Sequence, residues 1–202
     1  MKIGIDFDNT IVCYDTAFAQ VTDEWNCVAA DTPRTKLGIR NHLRNIGNED
    51  TWTRMQGHVY GPGMVHARPY PGVAENVRAL RAHGHEVFVI SHRTKKPFLG
   101  PPHDLHAFAR DWLTSTIQHQ GAPLFGPHQA FFEETLPQKI GRIASQGCDV
   151  FLDDLVDVLE HANFPTATRG ILFDPNREHA VAESARFKVI HTWDQLAQYL
   201  PR

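Results

Sequence analysis

The residues with the most chemistry in this chain are acidic and lie in two short runs. Asp6 and Asp8 fall in KIGIDFDNT, and Asp153 and Asp154 close DVFLDD. If the strands leading into these runs are neighbours, four carboxylates converge on one small volume. Like charges so close need a compensating cation, or some must hold protons. Oxygen ligands with no Cys or His among them select Mg2+. A lone strand-end Asp commonly caps the next turn, but a DxD run paired with a second acidic strand end goes beyond that. In an extended strand Asp6 and Asp8 would point to the same side, and leaving the strand separates them. One carboxylate can then attack phosphorus to form an aspartyl-phosphate. Its neighbour can protonate the leaving oxygen and later activate water.

Other groups fit the same chemistry. Ser91, ending EVFVIS, offers a hydroxyl to a phosphoryl oxygen. Lys139 falls in the first turn of the helix leading into DVFL, where the helix dipole disfavours a cation. Lys95 and Lys96 in SHRTKKPF are its rivals, and Lys139 is preferred. Arg93 and His92 follow Ser91 and could grip a second anionic group of a substrate; pairing of Arg93 with a nearby carboxylate is the competing assignment. Thirteen histidines include His103-x-x-His106 and His83-x-His85, but no cysteine pair accompanies them, and a structural zinc is not expected.

The elements that must position these groups read as strands alternating with helices. Lys2–Phe7, Glu86–Ile90, Ala130–Phe132, Asp149–Leu152, Gly170–Phe173 and Lys188–His191 are short apolar runs, as in a parallel sheet covered on both faces. Helices are expected over 73–83, from Asp104 through Ile117, over Pro137–Gln146 with Gly147 closing it, and over Trp193–Leu200. Between Tyr14 and Arg68 the rhythm breaks. Helical patches (Phe18, Val21, Trp25; Leu37, Leu43, Ile46) replace strands, and GPGMVHARPYPG at 61–72 reads as a hinge. Residues 14–68 are taken as a helical insertion, in which Trp25 and Trp52 line either a pocket or the insertion's own core.

Composition narrows the function classes. The 202 residues are 42% hydrophobic and 21% charged, with 20 Lys+Arg against 23 Asp+Glu and a net charge of −3. That excludes an unstructured chain and argues against a generic nucleic-acid binder. No apolar run approaches the ~20 residues of a membrane span, the first residues lack a secretory pattern, and three cysteines do not make a disulfide framework. A cytoplasmic protein with no nucleic-acid or membrane partner is expected.

Asp6-Phe7-Asp8-Asn9-Thr10, Ser91, Lys139 and Asp153-Asp154, in that order, resemble the four motifs of the haloacid dehalogenase (HAD) superfamily, over residues 2 to about 173. The resemblance implies an α/β, Rossmann-like parallel sheet of strand order 3-2-1-4-5 with helices on both faces. It implies Asp6 as nucleophile and Asp8 as general acid/base. It also implies Mg2+ held by Asp6, the backbone carbonyl of Asp8 and an acid of the Asp153/Asp154 pair. The insertion, residues 14–68, would be a small C1-type cap on a core of residues 1–13 and 69–202. Phe7, Thr10, Ser91, His92, Arg93 and Lys139 are the candidate substrate contacts. The fourth motif reads Asp153-Asp154-x-x-Asp157, which leaves open which acid touches the metal, with Asp153 preferred. Asp8 and the acidic pair set the chain apart from true dehalogenases, which lack that acid and need no metal.

The expected activity is Mg2+-dependent hydrolysis of a small phosphorylated metabolite through an aspartyl-phosphate. A 5'-nucleotidase and a non-catalytic binding protein of the same fold are the alternatives. A receiver-type signalling domain fits poorly, because here the DxD ends the first strand. An insertion that closes over the site would admit a sugar phosphate or a mononucleotide and exclude a phosphoprotein. Substrate identity and oligomeric state are not written in the sequence.

Overall fold

The structure is a computed structural model that describes residues 1–179 and 186–200. Six parallel strands form its centre: β1 (Lys2–Ile5), β2 (Glu86–His92), β3 (Ala130–Glu133), β4 (Val150–Asp153), β5 (Arg169–Phe173) and β6 (Phe187–Ile190). Their spatial order is β3-β2-β1-β4-β5-β6. The expected 3-2-1-4-5 order is present, with β6 added beyond β5. Strand order reverses at β1, so the loops after β1 and β4 leave side by side, as at the ligand crevice of open parallel sheets. Ile3, Ile5, Val87, Val89, Val150 and Leu152 are fully buried, which accounts for the continuous apolar runs. Gly4 is required in the central strand: a Cβ there would lie 2.5 Å from the Phe151 ring.

Helices α1 (Asp15–Trp25), α2 (Lys36–Asn45) and α3 (Glu49–Val59) fill the insertion. The chain enters and leaves it through an antiparallel ribbon that pairs Val12 with Pro69 and Cys13 with Arg68. Thr35 caps α2 by accepting from the Gly38 amide, and Asn48 caps α3 through the Thr51 amide. The insertion's buried residues, Phe18, Ile39, Leu43 and Trp52 among them, join one apolar core continuous with Ile3 and Ile5 of the sheet, and the Phe18 ring stacks on Trp52 at 5.0 Å. Trp52 therefore belongs to that core, whereas Trp25 is partly exposed beside His58. Around α2 the buried residues are Ile39 and Leu43 rather than the expected Leu37, Leu43 and Ile46. Ile46 is 57% exposed because the helix ends one residue before it.

The expected hinge at 61–72 is more structured than its Gly and Pro content suggests. Pro62–His66 form a 3-10 turn with Gly63 and Met64 buried. The Trp112 indole donates to the Ala67 carbonyl at 3.4 Å. A second tie is Gly57 in α3, where a Cβ would meet Pro97 at 2.7 Å and the Leu99 carbonyl at 2.9 Å. The insertion thus lies against the loop that follows β2.

On the sheet pack α4 (Val73–Ala82), α5 (Leu105–Thr116), α6 (Leu136–Gln146) and the short α7 (Val156–Leu159). Asp104 caps α5 through the Ala107 amide, as expected, and Gly147 closes α6. Trp193–Tyr199 is 3-10 rather than α-helical. The hairpin Gln118–His119 with Ala122–Pro123 and helix α7 have no counterpart in the sequence reading.

Candidate active site

Asp6 directly follows β1, and its amide donates to the Leu152 carbonyl of β4 at 2.8 Å. Asp153 ends β4, and Asp154 is the next residue. The alignment of β1 with β4 brings the three together, and one carboxylate oxygen of each lies within 4.8 Å of the others. Lys139, four residues past the Thr135 cap of α6, is 1% exposed and puts its Nζ 2.6 Å from Asp6 Oδ1 and 2.6 Å from Asp153 Oδ2. Of the three candidate lysines it is the one that reaches the carboxylates. Lys95 lies 3.8 Å from Asp104 and Lys96 is exposed.

Lys139 contacts two of the three carboxylates and Asp154 has no ion pair among the described residues, so negative charge is in excess. Burial raises the pKa of Asp6 to about 7, helped by Asp153 and Asp8 and opposed by Lys139. Burial likewise raises Asp153 and Asp154, the latter also through its two acidic neighbours. Burial alone would lower Lys139, but Asp153 and Asp6 outweigh it and its pKa lies above the ordinary lysine value. A buried all-oxygen set with surplus charge suits a hard divalent cation such as Mg2+. Asp153 has both oxygens engaged, Oδ1 by the Leu155 amide at 3.0 Å and Oδ2 by Lys139. Among the described residues Asp154 has only its Oδ2 engaged, by the Asn9 side-chain amide at 3.0 Å. Asp157 is exposed on α7 and outside the cluster.

After Asp6 the chain turns sharply. The Phe7 carbonyl accepts from both the Ile11 and Val12 amides, and Asn9 has φ of 58°, a conformation Asn tolerates better than most residues. The turn separates Asp8 from Asp6, so Asp8 lies outside the three-carboxylate cluster and lines a cleft of about 1020 Å3. Its Oδ1 receives the Tyr14 hydroxyl and, at 3.4 Å, the Arg93 guanidinium.

Four expected substrate contacts, Phe7, Thr10, Ser91 and Lys139, are not among the residues that line this cleft. The Phe7 ring is fully buried, 5.7 Å from Trp112 and 5.2 Å from Phe132. The Thr10 side chain is fully buried, its hydroxyl without a partner among the described residues. Ser91 is buried near the end of β2, with no side-chain hydrogen bond among the described residues. His92 lines the cleft, its pKa lowered by burial and then by Lys139. Arg93 also borders the cleft, but its guanidinium is spent on Asp8 and on the Tyr60 carbonyl at 3.1 Å. The carboxylate-pairing assignment therefore describes Arg93.

The sequence reading missed the groups the insertion contributes. Lys36, the first residue of α2, places its Nζ 2.8 Å from Asn9 Oδ1 and 5.6 Å from the Tyr14 and Tyr60 ring centres. Burial pulls its pKa down, but Tyr60, Asp154 and Asp8 outweigh that and raise it. Arg40, one turn further, faces the same cleft and makes no side-chain hydrogen bond or ion pair among the described residues, its buried Nε unpartnered. One signal was available: Lys36 follows the Thr35 cap, the same dipole-opposed placement that singled out Lys139.

Neither a family model nor a curated protein matches the sequence. Solved structures do match over nearly the whole chain. A predicted phosphoglycolate phosphatase from Haemophilus somnus 129pt is 16% identical, with 97% of this chain and 96% of that one covered and a TM-score of 0.58. A haloacid dehalogenase-like family hydrolase from Streptococcus pneumoniae is 12% identical, covering 98% and 97%, with a TM-score of 0.58. YfnB of Bacillus subtilis, in a magnesium-bound form, is 12% identical, covering 98% and 96%, with a TM-score of 0.56. The strand order, the reversal at β1 and these likenesses agree: the chain has the fold of the haloacid dehalogenase superfamily.

Proposed function

We propose that the protein is a Mg2+-dependent phosphohydrolase acting on a small phosphorylated molecule through an aspartyl-phosphate on Asp6. The observation that carries this reading is the contact of Lys139 with both Asp6 and Asp153 at 2.6 Å, inside a three-carboxylate cluster at the reversal of strand order. Asp6, Asp154 and the Asp8 carbonyl would hold the ion, with Asp153 held beside it by Lys139. When bound, the ion neutralises charge on the phosphoryl oxygens. Lys139 keeps Asp6 ionised and oriented, and it draws a phosphoryl group into line with Asp6. Asp6 attacks phosphorus and the ester P–O bond breaks with its electron pair on the leaving oxygen. Asp8 supplies the proton to that oxygen, then takes one from the water that releases phosphate. In this reading His92, which lines the cleft, and Ser91, buried beside it on β2, contact the phosphoryl group.

In this reading the insertion acts as a cap, and Lys36 and Arg40 take the role that Arg93 cannot: holding a second anionic group, such as a carboxylate or a second phosphate, on the leaving side. Phe98, 81% exposed beside the cleft, offers a face for a base and favours a mononucleotide as the second reading. The partner is a small molecule in the cytoplasm, not a nucleic acid or a membrane; among the described residues no helix is long and apolar enough to cross a membrane. The test is phosphate release from sugar phosphates, acidic sugar phosphates, mononucleotides and a phosphopeptide, with Mg2+ or a chelator. Turnover of a small ester with Mg2+ and none in Asp6→Asn is expected. Inertness toward every ester, or undiminished turnover by Asp6→Asn, would reject the assignment.

A further inference from the structure

Within the phosphohydrolase reading, Asp8 must present one carboxyl oxygen to the leaving group, and a freely rotating side chain would do so only part of the time. Its surroundings remove that freedom. Oδ1 accepts from the Tyr14 hydroxyl and from Arg93 at 3.4 Å, while Oδ2 has no hydrogen-bond partner among the described residues. Tyr14 is itself fixed: it is 1% exposed, and its ring meets Tyr60 edge-on at 4.9 Å and Phe18 at 6.5 Å. Arg93 is braced as well, by the Tyr60 carbonyl at 3.1 Å, by the Tyr60 ring 5.1 Å beneath it, and by His106, whose Nε2 lies 2.8 Å from the Arg93 carbonyl. Tyr14 directly precedes α1 and Tyr60 directly follows α3. The start of the insertion, at Tyr14, and the end of its last α-helix, at Tyr60, therefore meet each other beside Asp8.

We propose that Tyr14, braced by Arg93 and Tyr60, is a positioning residue for Asp8: it anchors Oδ1 so that Oδ2 is the oxygen that passes the proton to the leaving group. In the first step the bond from phosphorus to the ester oxygen breaks as Asp6 bonds to phosphorus, and the proton on Asp8 Oδ2 moves to the departing oxygen. In the second step the same Oδ2 removes a proton from water as its oxygen bonds to phosphorus and Asp6 leaves. The insertion thereby contributes to the chemistry as well as to enclosure, because the hydroxyl that orients the acid stands at its entrance.

The assignment rests on the phosphohydrolase reading, and leaving-group dependence separates the two. Nitrophenoxide departs without a proton, whereas an alkoxide needs one, so only the alkyl ester depends strongly on a well-aimed acid. The measurement is single-turnover release of the leaving group from p-nitrophenyl phosphate and from an alkyl phosphate, by wild type and Tyr14→Phe, which keeps the ring and removes the hydroxyl. We expect the alkyl ester to slow by about ten- to a hundred-fold, the worth of one hydrogen bond to a charged group. The nitrophenyl ester should change by less than about three-fold, with apparent binding of both esters unaltered. In an Asp8→Asn background Tyr14→Phe should have no further effect on the alkyl ester. Equal slowing of both esters, weakened binding with the rate kept, or additive effects in the double variant would overturn the positioning role alone. Wild type inert toward both esters with Mg2+ would overturn the phosphohydrolase reading and this assignment with it.

Discussion

Replacing Lys139 by Met tests the central electrostatic claim. The substitution keeps the chain length and apolar contacts, including those beside the Phe151 ring 5.5 Å from Nζ, and removes the ammonium in direct contact with Asp6 and Asp153. Breaking a buried ion pair costs about 3–5 kcal/mol when the remaining charge stays put. Here the remaining groups are carboxylates that can take up protons instead, so the cost depends on pH. Burial already holds Asp6 above its unfolded value, at about 7, and loss of Lys139 raises it further. A carboxyl whose pKa is raised on folding binds protons more tightly in the native state, so stability falls as pH climbs above the unfolded value of ~4. Lys139's own raised pKa has the same sign but a different window: its contribution is fully present below the unfolded lysine value and is lost only at alkaline pH, so it does not vary between pH 5 and 8. The expected result, from denaturant unfolding of metal-free protein, is a modest loss for Lys139→Met at pH 5 that grows to about 3–5 kcal/mol at pH 8. Added Mg2+ should recover part of the loss at pH 8 and little at pH 5. A variant equal to wild type at both pH values, or a loss independent of pH and Mg2+, would refute the buried, charge-coupled cluster.

Other outcomes follow from individual contacts. Asp154→Asn should raise the Mg2+ concentration needed for half-maximal activity by at least about ten-fold, measured by metal titration of phosphate release. Arg40→Gln should raise KM for an ester with a second anionic group by about ten-fold or more and leave KM for a neutral-tailed ester within about two-fold, measured by steady-state kinetics on the pair. Thr35→Ala, which removes the cap of α2, should lower stability by about 1 kcal/mol, read from denaturant midpoints.

Much of the scaffold was legible because buried parallel strands leave an unambiguous trace. VFVI and VFL are continuous apolar runs with both faces covered, and the acidic residues that follow β1 and β4 could be paired once the strand order was inferred. Lys139 was legible for a different reason: a cation in the first turn of a helix opposes the dipole, and its explanation turned out to be two carboxylates at 2.6 Å. Phe7 and Thr10 were candidate contacts because they stand in the motif beside Asp6 and Asp8, whereas both side chains are buried and the Phe7 carbonyl accepts two turn amides. No pattern within nine residues announces a turn that closes on itself so soon after the strand. The Gly and Pro content of 61–72 misled in the opposite direction, since Met64 and Ala67 are buried against the rest of the fold.

The insertion shows where reading by local pattern stops. Its helices could be anticipated from spacing, but the face that meets the site depends on how three helices pack on one another and on the loop after β2. Lys36 reaches Asn9 across 27 positions, Arg93 reaches Asp8 across 85, and Asn9 reaches Asp154 across 145. Arg93 illustrates the consequence. From sequence, an arginine two residues past a candidate phosphate-binding serine serves equally well as a substrate grip or as the partner of a carboxylate. The choice is made by Tyr60, which arrives from the end of α3 and offers both a carbonyl and a ring face to the guanidinium. Once Arg93 is held there, its charge falls on Asp8, and among the described residues the other lysine and arginine side chains that line the cleft belong to the insertion. Lys36 and Arg40 line that cleft, so on the proposed phosphohydrolase reading recognition of a substrate's leaving side and orientation of the acid that protonates it would both depend on the same three helices.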